Sequence, residues 1–236
     1  MAVVAVLVIT GAVWGATGSV RREVPAQGIL THAEGSIYLQ SGYDGQITAI
    51  FAATGASFQK GAPLFTVQDG DRQYTIRSTT GGRVISMFAR AGEVVARGTQ
   101  LAVIERIEEQ SDPLVAMVYL PQASAGLVRS GSLVDLTVRS APANQFGVLR
   151  GRVRSIGQFP ETQQQIAEFL GDEQLARRFA TQGQPLAVVV ELFPGHTTSG
   201  FKWSTKDGPP FQIDSRALVS ASIHLPPIRP IEWVVS

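Results

Sequence analysis

Shifting the sequence on itself by 37 residues brings Gly45–Val67 (GQITAIFAATGASFQKGAPLFTV) onto Gly82–Ile104 (GRVISMFARAGEVVARGTQLAVI) without a gap. Six of the 23 positions are identical: Gly45/Gly82, Phe51/Phe88, Ala52/Ala89, Gly55/Gly92, Gly61/Gly98 and Leu64/Leu101. Composition alone would give roughly one or two. Other positions keep their character, as in Ile47/Val84, Ile50/Met87, Phe58/Val95, Lys60/Arg97 and Val67/Ile104. Each copy is thus one supersecondary unit, short strands broken at glycines, made twice. Neither copy can bury its apolar face alone, so the two are expected to pack as a small β-sandwich around one core. The glycines Gly45, Gly55, Gly61, Gly82, Gly92 and Gly98 mark turns where a side chain would strain the backbone.

The link between the copies is short. Arg72–Arg77 (RQYTIR) reads as a returning strand, which leaves Asp69-Gly70-Asp71 as the tip, and Asp-Gly is a pair that tight hairpin turns prefer. At about 3.5 Å per residue this tip extends no more than roughly 10 Å. The two-copy pattern resembles the biotinyl/lipoyl domain, whose carrier members place a cofactor-bearing lysine at this tip. Here the only lysines in the chain are Lys60, Lys202 and Lys206, and Lys60 sits inside the first copy, matched by Arg97, as a solvated charge. No cofactor is expected.

Met1–Val20 (MAVVAVLVITGAVWGATGSV) carries no charge and, as a helix rising 1.5 Å per residue, would span about 30 Å, the thickness of a bilayer core. It reads as a transmembrane anchor rather than a signal peptide, which wants a basic start and a shorter apolar run. Trp14 falls toward the outer interface of such a span. Arg21 and Arg22, just after it, oppose the positive-inside rule for an exported C-terminal part, so the natural chain is expected to begin further upstream. From Asp112 onward the strands lengthen: Leu114–Leu120, Leu133–Val138, Val148–Ile156, Leu186–Leu192, Ala217–Leu225 and Pro230–Val235, with a short helical stretch in Pro121–Arg129. That order suits a closed β-barrel, which removes exposed sheet edges. Residues 161–181 interrupt it with a helical insertion expected to pack on the barrel: Ile166, Phe169 and Leu170 share one face, Gly171 breaks the run, and Leu175 and Phe179 stand four apart. The fold class is therefore mainly β: a transmembrane helix at 1–20, a lipoyl-like sandwich at 21–110 with halves 45–67 and 82–104, and a barrel at 111–236.

Composition removes several function classes. With 20 Lys plus Arg against 19 Asp plus Glu there is no basic excess for nucleic acid. The absence of cysteine excludes disulfides, thiolate metal sites and a thiol nucleophile. His32, His196 and His224 are far apart in sequence, with no second ligand at metal-binding spacing, and read as isolated side chains. There is no Walker loop and no G-x-S-x-G elbow; Gly55-Ala56-Ser57-Phe58-Gln59 fails at its last position. Glu108-Glu109 lies in a polar stretch that reads as a linker. Trp203 and Trp233 read as core or barrel-closing aromatics. Arg150, Arg152 and Arg154 alternate on one strand face, a solvated stripe with partner contact as the sharper alternative. No catalytic residue and no metal ligand emerges, so the chain reads as a non-enzyme.

An anchor, a lipoyl-like sandwich without its lysine and a following barrel together resemble the HlyD family of membrane fusion (periplasmic adaptor) proteins. Val24–Leu30 (VPAQGIL), Gln164–Phe169 (QQIAEF) with Leu170-Gly171-Asp172, Trp203–Phe211 (WSTKDGPPF) and Arg229–Val234 (RPIEWV) look like the short actinobacterial adaptors linked to bacteriocin-type peptide export. The 17 Arg against three Lys and one Asn suit a high-GC genome. The resemblance implies an adaptor subunit of an ABC-type exporter, held in the cell membrane by one helix with its other domains outside the cytoplasm. Its partners would be the transporter, a peptide substrate and further copies of itself as a homo-oligomer. Typical members carry a long helical hairpin between the two lipoyl halves. Its replacement by a tight turn implies service in a one-membrane envelope. The rival readings are a lipoyl- or biotin-type carrier fragment and an anchored extracellular binding domain.

Overall fold

The structure is a computed structural model that describes residues 20–107 and 112–228. The expected anchor, Glu108-Glu109, Trp233 and the final strand at 230–235 lie outside the described residues. Among the described residues no helix is long and apolar enough to cross a membrane. In chain order the strands are β1 (Val20–His32), β2 (Ser36–Gln40), β3 (Gly45–Ile50), β4 (Ser57–Phe58), β5 (Pro63–Asp69), β6 (Arg72–Arg77), β7 (Gly82–Met87), β8 (Val94–Val95) and β9 (Gln100–Arg106). Then follow β10 (Leu114–Leu120), α1 (Gln122–Ala125), β11 (Leu133–Val138), α2 (Ala143–Phe146), β12 (Leu149–Ile156), α3 (Gln163–Leu170), α4 (Glu173–Phe179), β13 (Leu186–Leu192) and β14 (Leu218–Ile228).

The repeat folds as two four-stranded sheets, ordered β2-β9-β7-β4 and β6-β5-β3-β8. Each copy gives its short middle strand to the other copy's sheet: β4 pairs with β7, and β8 pairs with β3. The exchange is why neither half closes a core alone. Ile47, Leu64, Phe65, Val67 and their counterparts Val84, Leu101 and Ile104 fill one core. The two-fold likeness extends to single hydrogen bonds. Gly92 N–H donates to the Ile47 carbonyl and Gly55 N–H to that of Val84, both at 2.7 Å. Phe51 and Phe88 depart from the single-core expectation, being 58% and 48% exposed. Each stands just past the end of its strand, where its N–H still bonds across the sheet, to Leu64 or Leu101, while its side chain has left the sandwich interior.

The barrel is closed and six-stranded, in the order β1-β10-β13-β12-β11-β14. Its sixth wall is β1, antiparallel to β14, a strand that the sequence division at residue 21 assigned to the sandwich. Strand β10 is a continuous apolar run, whereas β11 and β12 alternate, burying Val134, Leu136, Leu149 and Val153 and turning the residues between them outward.

The helical insertion differs from expectation in its neighbour. It forms as α3 and α4, but residues 159–185 belong to the same compact unit as the sandwich, not to the barrel that flanks them in sequence. Thr162 caps α3 with a capping box: its Oγ1 accepts from Gln165 N–H at 3.2 Å, and the Gln165 Oε1 accepts from Thr162 N–H at 2.8 Å. Asp172 caps α4 through Gln174 and Leu175 N–H, each at 3.0 Å. Two glycines explain the docking. A Cβ on Gly35 would lie 2.6 Å from the Phe169 ring, and one on Gly171 would lie 2.4 Å from Val103 Cγ1. Burial first, and then the Glu173, Asp172 and Glu168 carboxylates, hold the Tyr38 phenol above its ordinary value.

Candidate functional site

The tip of the sandwich is a two-residue turn. Asp69 pairs with Arg72, leaving Gly70 and Asp71 to make the reversal, with Gly70 at φ +56°. Gln68 Nε2 donates to the Gly70 carbonyl at 3.1 Å and stiffens the turn. Asp69 and Asp71 are exposed. Tyr74 on β6 stacks on Tyr43, with ring centroids 4.1 Å apart and planes 9° from parallel, which ties this hairpin to the β2–β3 loop. The tip offers carboxylates and aromatic surface and no amine that an acyl cofactor could occupy.

The six repeat glycines separate into two physical kinds. Gly55, Gly61, Gly92 and Gly98 have φ from +84° to +88° with open space where a Cβ would stand, so each serves a turn. Gly45 and Gly82 serve a close approach. A Cβ would stand 2.3 Å from the Gln68 carbonyl oxygen at Gly45 and 2.4 Å from that of Glu105 at Gly82.

On the barrel, Arg150, Arg152 and Arg154 do share the outward face of β12. Two are paired across strands: Arg150 with Asp135 of β11, and Arg152 with Glu191 of β13 at 3.0 Å. Asp135 also meets His224 Nε2 at 3.1 Å, and His224 Nδ1 lies 3.5 Å from Glu23 of β1. A ladder of polar side chains, Glu23–His224–Asp135–Arg150, thus crosses four strands, so His224 is not an isolated side chain. Arg154 is exposed, and its backbone carbonyl accepts from Ser130 Oγ at 2.9 Å. Replacing Arg152 by Ala should change stability by less than about 1 kcal/mol in urea denaturation, because both partners are half-exposed and share their attraction with water.

Sequence reasoning missed two features of the sandwich. Ser41 and Ser78 stand 37 residues apart, are both buried, and make the same turn: Ser41 Oγ donates to the Tyr43 carbonyl at 2.6 Å and Ser78 Oγ to that of Thr80 at 2.5 Å. Extending the repeat upstream of Gly45 would have found them. The second is Glu105, 1% exposed, with Arg83 Nη2 at 3.1 Å, Thr31 Oγ1 at 3.3 Å and His32 Nδ1 at 3.3 Å. No spacing rule links residues 31, 32, 83 and 105. Among the described residues no group of three His, Asp or Glu side chains is placed to hold a metal ion.

A closed six-stranded barrel and a two-sheet sandwich in one chain define a class of fold with solved examples. MacA from Actinobacillus actinomycetemcomitans matches with a TM-score of 0.60 over 90% of this chain and 81% of its own, at 11% identity. A MacA–MexA chimera containing the Pseudomonas aeruginosa MexA α-hairpin domain matches at 0.59 over 90% and 84%, at 12% identity. ZneB from Cupriavidus metallidurans matches at 0.57 over 88% and 100%, at 11% identity. The chain shares their fold. No protein-family profile matches the sequence.

Proposed function

We propose that this chain is the adaptor, or membrane fusion, subunit of an ABC-type exporter, a non-enzymatic part that couples the transporter to the extracytoplasmic exit path of a peptide. The observation that carries the reading is the fold shared over nine-tenths of the chain with MacA, a membrane fusion adaptor. Support also comes from the absence of an amine at the Gly70–Asp71 tip, which counts against a carrier of lipoyl or biotin. In this reading residues 1–20 anchor the chain by a single pass, the barrel docks on the transporter, and several copies surround the exit path. The two-residue tip spans a few ångströms, so the chain serves a one-membrane envelope and releases cargo directly outside.

Deleting the gene should stop release of a peptide while leaving its synthesis intact, and a detergent extract should yield the chain together with an ATP-driven transporter. An unchanged secreted peptide profile with no transporter recovered would favour a free-standing extracellular binding domain instead. Carbonate washing should leave the full chain with membranes.

A further inference from the structure

We infer that the segment 193–206 on the barrel forms a binding site for an anionic amphiphile, a phosphate headgroup carrying an apolar chain. The inference stands apart from the adaptor reading, since it rests on two adjoining concavities in the barrel unit alone. The first, about 460 Å³, is lined by Gly195, His196, Thr197, Lys202, Trp203 and Ser204 with Thr205 and Lys206. It holds two of the chain's three lysines, and no carboxylate lines it. Neither lysine has an ion-pair partner among the described residues, in contrast to the paired Arg150 and Arg152 nearby. In a chain of net charge +1 this is a local excess of positive charge held beside the Ser204 hydroxyl, whose hydrogen is free to donate because its oxygen accepts from Val148 N–H. Ammonium groups and a hydroxyl are donors that phosphate takes.

The second concavity, about 440 Å³, shares Lys202, Trp203 and Ser204 with the first and has Leu133 and Phe193 as its accessible apolar side chains. Leu133 is 57% exposed, an apolar side chain left at the mouth of the cavity. Asp135 and Arg150 also line it, but as a pair that cancels its own charge. Lys202 thus stands where the two concavities meet, with Lys206 lining only the first and the apolar Leu133 and Phe193 only the second, which matches a molecule with a charged head and an apolar tail.

The segment is built to hold this shape. Arg150 N–H donates to the Lys202 carbonyl at 2.9 Å, and Lys202 N–H donates to that of Phe193 at 2.8 Å, so isolated β-bridges, Leu149 with Trp203 and Pro194 with Phe201, tie the segment to the start of β12 and the end of β13. Trp203 is 4% exposed, its Nε1 donates to Ser199 Oγ at 2.8 Å, and a Cβ on Gly208 would lie 2.6 Å from its ring. Ser204 Oγ accepts from Val148 N–H at 2.9 Å. Lys202 thus projects from a backbone bonded on both sides, and ordering it costs the ligand little.

The test uses the full chain in an uncharged detergent, titrated with dihexanoyl phosphatidylglycerol and, in parallel, with dihexanoyl phosphatidylcholine and inorganic phosphate, binding being read by calorimetry. Phosphatidylglycerol should bind at least tenfold tighter than either of the others. The Lys202→Ala/Lys206→Ala variant should lose that preference over phosphatidylcholine, and Leu133→Ser, which removes apolar surface without adding charge, should weaken phosphatidylglycerol while leaving phosphate unchanged. All three side chains are exposed, so the fold should survive, as circular dichroism would verify. Equal binding of phosphatidylcholine, or indifference to the lysine substitutions, would overturn the site. Phosphate binding as tight as that of phosphatidylglycerol would reduce it to a free-anion site and overturn the amphiphile.

Discussion

Replacing Gly45 by Ala should unfold the sandwich before the barrel, at a cost of about 3 kcal/mol or more, which is a large part of the stability of a domain. Two penalties add there. The backbone stands at φ +141°, a conformation that side chains rarely adopt, and the new Cβ would lie 2.3 Å from the Gln68 carbonyl oxygen and 3.0 Å from Val67 Cγ1. The oxygen belongs to β5, the neighbour to which β3 is hydrogen-bonded, so relief requires parting the two strands. Gly82→Ala meets the same obstacle from Glu105 and Ile104, at 2.4 and 2.9 Å, without the positive φ, and should cost somewhat less. Gly55→Ala faces open space at φ +86° and should cost only about 1–2 kcal/mol, the price of the left-handed region. Urea denaturation followed by hydrogen exchange, read separately on peptides from 45–106 and from the barrel, measures the order. Equal losses at Gly45 and Gly55 would show that close approach does not distinguish these glycines.

That contrast shows what a sequence repeat can and cannot reveal. Six glycines in register announced strands broken at fixed places, and the two sheets, the returning strand Arg72–Arg77 and a tight turn before it followed; the turn is one residue shorter than the Asp69-Gly70-Asp71 expected, because Asp69 pairs with Arg72. Nothing in the alignment separates a glycine needed for its φ from one needed for its missing side chain, because both are simply Gly in both copies. The barrel strands from Leu114 to Leu192 were legible for a similar local reason, since alternation or a solid apolar run declares a strand wherever it pairs. Long-range partners were not legible. Strand β1 closes the barrel against β14, nearly 200 residues away, and its sequence VRREVPAQGILTH carries a proline and no clean alternation. The docking of α3 and α4 was misread because sequence adjacency favoured the barrel, while the surface that receives them is made by Gly35, Ser36 and Val103 in the sandwich unit. For the candidate site, the alternation that faces Arg150, Arg152 and Arg154 outward was readable, and their pairing with Asp135 and Glu191 was not, because cross-strand register is set by the fold.

Arg83→Met should destabilise the sandwich by about 3 kcal/mol, because it strips a cation from a carboxylate buried out of water. Glu105 is 1% exposed, whereas the Arg83 side chain keeps 25% of its surface in water. The two halves of the pair are therefore unequal: Arg83, deprived of Glu105, can turn to solvent, while Glu105, deprived of Arg83, stays out of water. Glu105→Leu should accordingly cost less than Arg83→Met. The double variant should be more stable than Arg83→Met by itself, since removing the stranded charge relieves the larger part of the penalty. A double-mutant cycle in urea, with hydrogen exchange on 82–106 as the local readout, tests the order of the three. Glu105 also sits where Gln68 stands in the first copy, exposed beside the tip, so the reciprocal change Gln68→Glu should cost only about 1 kcal/mol, for the lost bond to the Gly70 carbonyl and the repulsion from Asp69 and Asp71 in water. The same position of one repeat then holds a buried ion pair in one copy and a solvated amide in the other. The difference comes from what covers each sheet end: Thr31 and His32 bring chain over Glu105, and only the short Gly70–Asp71 turn lies beyond Gln68.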